Sequence, residues 1–146
     1  MYERFRNFTV LITKIYRAIR KIKSEETEKY GLTNAHVSCL YYLYKNDELT
    51  LKELMDICLE DKAALSRATS YLEKNGFITC DSNQKKRFNY FFMLTDLGNK
   101  VAKGLSDKID NILDLASDGF NNEEREVLYK CLTIISGNLD KICNDY

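Results

Sequence analysis

Hydrophobic residues recur every three or four positions over most of this chain, which is the spacing of amphipathic helices. One stripe spans about 20 residues near the start of the chain. A second follows a break at Gly31, with Thr33 or Asn34 as its N-terminal cap. The first stripe comprises Phe5, Phe8, Ile12, Ile15, Ile19 and Ile22, and the second comprises Val37, Leu40, Tyr41 and Tyr44. Both segments are therefore predicted to be helices with one buried side.

Two shorter helices are predicted next, joined by the turn "LED". Thr50 and Glu53 have the spacing of a capping box, in which each side chain bonds the backbone amide of the other residue. Asp61 is suited to cap the next helix, and Gly76 is suited to end it in the left-handed conformation. The buried side of the first of these helices is predicted to carry Leu51, Leu54, Met55 and Cys58.

The helix between Asp61 and Gly76 has two contrasting faces. Its inner face is predicted to carry Leu65, Ala68, Thr69 and Leu72. The opposite face is predicted to carry, at a helical spacing, Ala63, Ser66, Arg67, Ser70 and Lys74. This outer face consists mainly of small, hydroxyl-bearing or cationic side chains, so it is predicted to be free of bulky apolar groups.

The pattern then changes from helix to strand. "FITCD" and "FNYFFML" are rich in β-branched and aromatic residues and flank the polar "SNQKKR", which predicts a two-stranded hairpin with a charged tip. Thr95 or Asp96 can cap a long helix toward Leu115, and Asn121 with Glu124 can cap a last one. The apolar stripe of the last helix is Leu128, Cys131, Leu132, Ile135, Leu139 and Ile142. The sequence thus predicts a mainly α fold with a minor β component: a winged helix-turn-helix of about six helices and one hairpin wing.

Composition narrows the possible functions. The 146 residues carry no net charge and include one histidine and five cysteines without CxxC spacing, so neither a metal site, a cofactor nor a disulfide framework is predicted. No apolar run is long enough to cross a membrane and no secretory leader is evident, so a cytoplasmic location is expected. Residues 61–92 nevertheless hold six Lys/Arg against three Asp/Glu. A local basic surface therefore persists within the neutral total.

This surface has the chemistry of a duplex DNA reader. In a helix-turn-helix the second helix enters the major groove, where alanine can contact a thymine methyl, serine can donate or accept hydrogen bonds, and arginine can bind guanine or phosphate. Three consecutive cations at the hairpin tip have the reach to contact a minor groove or its flanking phosphates. The predicted DNA contacts are Thr50, Lys62, Ala63, Ser66, Arg67, Ser70, Lys85, Lys86 and Arg87.

The chain resembles the MarR regulators, a family named for multiple antibiotic resistance. The resemblance covers nearly the whole chain and rests on the ordered set "GLT", "LEKNGFI" and "LTDLG" around "LTLKELMDICLEDKAALSRATSYLEKNGFI". It implies one domain over 1–146: dimerisation helices in 1–30 and 107–146, a winged helix-turn-helix in 33–94 and a connecting helix in 95–117. The implied activity is that of a homodimeric repressor or activator that binds an inverted repeat.

The resemblance also implies which residues hold the two copies together. The implied dimer interface is Phe5, Phe8, Ile12, Ile15, Ile19, Leu128, Leu132, Ile135, Leu139 and Ile142. A small aromatic or phenolic effector is a further implied partner, for which tyrosines, His36, Arg17 and Arg20 are candidates. The family's wing usually carries an Asp, any residue, then Arg, whereas this chain has Lys85-Lys86-Arg87, so Lys86 can replace Arg87 in the groove.

Three alternatives remain open at this stage. The zero net charge is also compatible with a winged-helix module that binds only proteins. An enzymatic function is the least supported interpretation, because the sequence contains no phosphate-binding loop, HExxH motif or Ser/His/Asp constellation. Cys58 and Cys80, near the reading helix, can be either thiol sensors or inert buried thiols.

Overall fold

The computed structural model describes residues 2–28, 30–81 and 90–144. Most of these residues are helical, as the hydrophobic spacing predicts. The elements, in chain order, are α1 (Tyr2–Phe5), a π-helical turn (Arg6–Val10), α2 (Leu11–Glu28), α3 (Asn34–Asn46), β1 (Glu48–Thr50), α4 (Leu51–Cys58), α5 (Lys62–Lys74), β2 (Ile78–Asp81), β3 (Phe91–Leu94), α6 (Asp96–Ala116) and α7 (Asn122–Asn144). The mainly α winged helix-turn-helix predicted from the sequence is confirmed.

The core around α3, α4 and α5 is formed by side chains that are completely buried. Leu40 and Leu43 of α3 pack with Leu54 of α4, with Leu65 and Leu72 of α5, and with Phe92 of β3, all at 0% exposure. Burial of each such side chain stabilises the fold by about 1.5–3 kcal/mol. The predicted inner face of α5, formed by Leu65, Ala68, Thr69 and Leu72, is buried as expected.

The sheet has one more strand than the sequence predicts. β2 and β3 form the expected antiparallel hairpin, and β1 pairs antiparallel with the other edge of β3, which gives the order β1-β3-β2. Leu49 of β1 lies opposite Phe92 of β3, and both side chains are buried. The two-stranded prediction was incomplete because β1 has only three residues and its pairing partner lies more than 40 positions away.

The predicted caps are present. The Ala64 amide donates to Asp61 Oδ1 at 2.8 Å, and the Thr50 amide donates to Glu53 Oε2 at 2.7 Å. Gly76, which follows α5, has a φ of 75°, a conformation that glycine adopts without steric cost. Thr33 precedes α3, and its amide donates to His36 Nδ1 at 2.9 Å.

The chain divides into two compact units, residues 1–107 and 108–146, and the boundary falls within α6. In the second unit, Asn121 and Glu124 form the expected reciprocal cap of α7, with both hydrogen bonds at 2.9 Å. Arg125 contacts Asp114 at 3.5 Å. No residue of α7 between Asn122 and Asn144 is buried within this chain.

Candidate nucleic-acid interface

The turn between α4 and α5 is tight and capped at both ends. Leu59 adopts a left-handed conformation with a φ of 54°, and its amide donates to the Met55 carbonyl at 3.2 Å, which closes α4. Two residues later, Asp61 caps α5. The Leu59 side chain is 89% exposed, an unusual position for an apolar residue and one that no sequence signal indicated. This short connection fixes α5 relative to α4, as a helix-turn-helix requires.

The outer face of α5 is open in the manner predicted. Ala63, Arg67 and Lys74 are exposed, while Ser66 and Ser70 are half-buried between them. Lys62, in the first turn, is exposed as well. The structure thus places the predicted small and cationic side chains of α5 together on one accessible surface.

The opposite side of α5 is held by polar contacts as well as by leucines. The buried Thr69 hydroxyl donates to the Leu65 carbonyl at 2.9 Å, so it adds no unsatisfied polar group to the core. Tyr71 stacks on His36 of α3, with ring centroids 4.4 Å apart and an interplanar angle of 18°. Burial lowers the pKa of His36, which favours the neutral ring at physiological pH.

Thr50 is occupied by its capping role. Its hydroxyl donates to Glu53 Oε2 at 2.8 Å and accepts from the Glu53 amide at 3.3 Å. The hydrogen bonds that the Thr50 amide and hydroxyl donate hold the pKa of Glu53 below its usual value. Thr50 lies at the start of α4 and is half-buried, and its contact with DNA stays a prediction.

In the wing, β2 ends at Asp81 as predicted, and β3 starts at Phe91, within the predicted strand "FNYFFML" but after its first residues. Asp81 and Phe91 are partners in the sheet. The predicted wing cations Lys85, Lys86 and Arg87 lie outside the described residues, so their role also stays a prediction.

A polar clamp joins the base of the wing to α5 and α6. The Thr95 hydroxyl donates to the Gly76 carbonyl at 2.6 Å and accepts from the Gly98 amide at 3.0 Å. The Thr95 amide donates to the Phe77 carbonyl at 3.0 Å. A Cβ atom at Gly98 would lie 1.8 Å from that carbonyl oxygen, so the close approach requires glycine. These contacts give "LEKNGFI" and "LTDLG" a common physical role that was not evident from the sequence.

Comparisons with known proteins agree with this geometry. The MarR family model matches residues 30–87. An uncharacterized HTH-type transcriptional regulator of Bacillus subtilis, YybA, is 28% identical over 131 residues, with 89% of this chain and 87% of the relative covered. Among solved structures, the MarR family regulator NMB1585 of Neisseria meningitidis shares the fold, with a TM-score of 0.84, 18% identity and 97% of each chain covered.

A second solved structure was determined with DNA. It is a MarR family transcriptional regulator from Listeria monocytogenes complexed with 26mer DNA, with a TM-score of 0.79, 26% identity, and 88% of this chain and 85% of that chain covered. This chain is thus similar in sequence and in fold to MarR family transcriptional regulators.

The chain has two exposed apolar stripes, one in each unit. On the N-terminal helices, Phe8, Ile12, Ile15 and Ile19 are 40–58% exposed. On α7, Leu128, Leu132, Leu139 and Ile142 are 39–51% exposed, and Ile135 is half-buried. The side chain of Phe5 lies outside the described part of the chain. Exposed apolar stripes of this kind are typical of helices that bury their apolar side against another molecule.

The part of the chain that the structure describes contains neither a candidate metal cluster nor a membrane-spanning helix. Within residues 2–28, 30–81 and 90–144, no group of three His, Cys, Asp or Glu side chains is arranged to hold a metal ion. None of the helices in these ranges is long and apolar enough to cross a membrane. The five cysteines, Cys39, Cys58, Cys80, Cys131 and Cys143, all lie in these ranges, and none of them forms a disulfide.

Proposed function

We propose that this protein is a homodimeric, sequence-specific repressor that binds an inverted-repeat operator in duplex DNA. The observation that carries the proposal is the two-faced α5 helix. Its inner side is anchored by buried Leu65 and Leu72, while its outer side presents Ala63, Ser66, Arg67 and Ser70. A major groove about 12 Å wide admits a helix of this slim profile.

The chemistry of the outer face suits the edges of base pairs. Arg67 has the planar, two-pronged donor geometry that matches the O6 and N7 acceptors of guanine. Ser66 and Ser70 offer hydroxyl groups that suit several bases or phosphates, and Ala63 can contact the methyl group of thymine. We assign base reading to these four residues.

Phosphate contacts are assigned to the flanks of α5. Lys62 and the helix N-terminus supply positive potential, which the Asp61 carboxylate partly offsets. Thr50 at the start of α4 and the wing cations Lys85, Lys86 and Arg87 extend this contact along the duplex. The six basic residues in 61–92 make such binding compatible with a protein whose net charge is zero.

Two copies are required by the symmetry of the proposed operator. The exposed stripes of the N-terminal helices and of α7 are the surfaces that we assign to the dimer contact, with Phe5 included at the start of the first stripe. A two-fold dimer presents two α5 helices to half-sites one helical turn apart, about 34–36 Å. Symmetry of the protein therefore accounts for symmetry in the DNA.

We propose that a small aromatic anion acts as an effector, which binds the protein and releases it from DNA. A shallow hollow on α2 is lined by Tyr16, Arg17 and Arg20 together with Thr13, Lys21 and Ser24. The Arg20 guanidinium lies 5.8 Å from the centroid of the Tyr16 ring, so the hollow joins positive charge to an aromatic surface. His36, the other candidate, stacks on Tyr71 instead.

Salt dependence of binding separates this function from a protein-interaction module. Oligonucleotides selected from a random duplex pool provide the probe, and fluorescence anisotropy measures affinity over a range of salt concentrations. A DNA-binding regulator loses affinity with a log-log slope of about 0.9 per phosphate neutralised. Failure of the random pool to yield any bound duplex would contradict the proposed function and favour the interaction module.

Replacement of Arg67 tests base reading on α5. Arg67→Ala should weaken binding to the selected duplex by about 1–3 kcal/mol, with a smaller loss on random DNA. Arg67→Lys is the matched control, because it keeps the charge and removes the two-pronged geometry. Lysine should restore affinity for random DNA but leave the selected duplex weakened. Equal losses on both duplexes for Arg67→Ala, with full rescue by lysine, would assign Arg67 to phosphate instead.

A further inference from the structure

The two flanks of α5 have different neighbours. On one flank, Glu73 accepts a hydrogen bond from the Cys80 thiol of β2 at 2.9 Å, so this side of the helix faces the base of the wing. Two positions along a helix correspond to a rotation of about 200°, so Tyr71 lies on the other flank. There its ring stacks on His36 of α3. The outer face of α5 is thus bordered by the wing on one side and by Tyr71 on the other.

Tyr71 lies beside Arg67 on the surface of α5. The two residues are four positions apart, so they are neighbours on the helix. Side chains of a helix point back toward its N-terminus, which directs the phenol of Tyr71 over the turn that contains Arg67. Tyr71 is 38% exposed although one face of its ring packs on His36. A tyrosine at such a position combines an apolar ring that packs on the protein with a polar end.

His36 fixes the ring on which Tyr71 packs. It is 8% exposed, and its Nδ1 accepts a hydrogen bond from the Thr33 amide at 2.9 Å. This bond requires an unprotonated Nδ1, which agrees with the direction in which burial moves the pKa of His36. Because the histidine is held in this way, the stacked Tyr71 ring has little freedom left to lose when it binds a ligand, so its contact is pre-organised.

We propose that the Tyr71 hydroxyl donates a hydrogen bond to a DNA phosphate on the side of the major groove that faces away from the wing, and that His36 is the positioning residue for this contact. The assignment rests on the proposed function, in which the outer face of α5 lies in the groove. A helix in the groove lies between two phosphate backbones, and the wing adjoins only one flank of α5. Tyrosine hydroxyls are among the groups that bind phosphate in protein–DNA complexes.

Tyr71→Phe tests the hydroxyl group alone. The variant keeps the ring and its stacking on His36, so its far-ultraviolet circular dichroism should match that of the unaltered protein. Affinity should fall by about 2- to 10-fold, and equally for the selected and the random duplex, because phosphate contacts carry no sequence information. The salt slope should stay unchanged, since a neutral donor displaces no counterion.

Tyr129→Phe is the matched control. Tyr129 lies on α7 and is 52% exposed, so the variant removes a hydroxyl from an exposed tyrosine away from α5, and affinity should not change. Full affinity of Tyr71→Phe would overturn the assignment. A loss confined to the selected duplex would overturn the phosphate contact and indicate that Tyr71 contacts a base. An unaltered protein that binds no duplex would instead refute the proposed function, and this contact with it.

Replacement of single phosphates locates the contact. Each phosphate of the selected duplex is replaced in turn by an uncharged methylphosphonate, and affinity is measured for the unaltered protein and for Tyr71→Phe. At one phosphate in each half-site, the replacement should weaken the unaltered protein more than it weakens Tyr71→Phe. Identical effects on the two proteins at every phosphate would show that the hydroxyl contacts none of them.

A double-mutant cycle tests the positioning role of His36. His36→Asn places an oxygen acceptor near the position of Nδ1 for the Thr33 amide, but it removes the ring that supports Tyr71. Affinity should fall about as much as in Tyr71→Phe, and Tyr71→Phe should cause no further loss in the His36→Asn background. Losses that add in full would show that the tyrosine binds without help from His36 and would overturn this part of the proposal.

Discussion

Ile15→Asp should convert the proposed dimer to a monomer and weaken operator binding by about 10²-fold or more. Ile15 lies in the middle of the exposed stripe on α2 and is 58% exposed within one chain. In a dimer that buries this stripe, the new carboxylate would be desolvated without a partner, which is strongly destabilising. The loss of affinity follows because two α5 helices no longer bind the two half-sites together. Sedimentation velocity measures the first effect, and anisotropy with the selected duplex measures the second.

Thr13→Asp is the matched control for this prediction. It introduces the same charge on an exposed position of α2 at the opposite side of the helix from Ile15, so dimerisation should persist. Leu132→Asp on α7 is an independent test of the second stripe. A monomer in the unaltered protein, or a dimer that survives both Ile15→Asp and Leu132→Asp, would show that these stripes do not join the two copies.

Gly98→Ala should lower the free energy of unfolding by about 1–3 kcal/mol or more, the range for forced overpacking. The added Cβ would lie 1.8 Å from the Phe77 carbonyl oxygen and 2.9 Å from its carbon, so α6 or the base of the wing must move. That movement also strains the hydrogen bonds of Thr95 to Gly76 and Phe77. Urea denaturation at a fixed protein concentration measures the change, because the stability of a dimer depends on concentration.

Gly104→Ala in the same helix is the control with the opposite expected sign. No atom lies within 4 Å of a Cβ built at Gly104. Alanine should therefore raise the free energy of unfolding by about 0.5–1 kcal/mol, because glycine is entropically unfavourable inside a helix. Equal effects at Gly98 and Gly104 would show that helix propensity alone determines the role of Gly98, and that the contact with Phe77 is not tight.

The features that could be predicted from the sequence are those fixed by neighbouring residues. The caps at Thr50 and Asp61 and the left-handed Gly76 depend on contacts within a few positions, so their spacing was sufficient. The two faces of α5 followed from helical periodicity for the same reason. The order of these elements along the chain then indicated a winged helix-turn-helix, and the family resemblance added the prediction that the first and last helices join two copies.

The features that could not be predicted depend on tertiary contacts. β1 exists because Leu49 meets Phe92 across the sheet. The clamp between Thr95 and Gly76 likewise joins segments that are distant in sequence. The π-helical turn at Arg6–Val10 interrupts a stripe whose periodicity predicted one continuous helix. At the candidate site, the outer residues of α5 share one surface as predicted. No sequence pattern predicted that the side chain of Leu59 would be exposed.

Methylation protection of the selected duplex tests the central claim, that the outer face of α5 lies in a major groove. Dimethyl sulfate modifies guanine N7, which faces that groove. If α5 occupies the groove, guanines should be protected in two half-sites about 10 base pairs apart, and Arg67→Ala should remove the protection selectively at one guanine of each half-site. Guanine N7 atoms that stay fully reactive throughout a bound duplex would show that α5 does not occupy the groove.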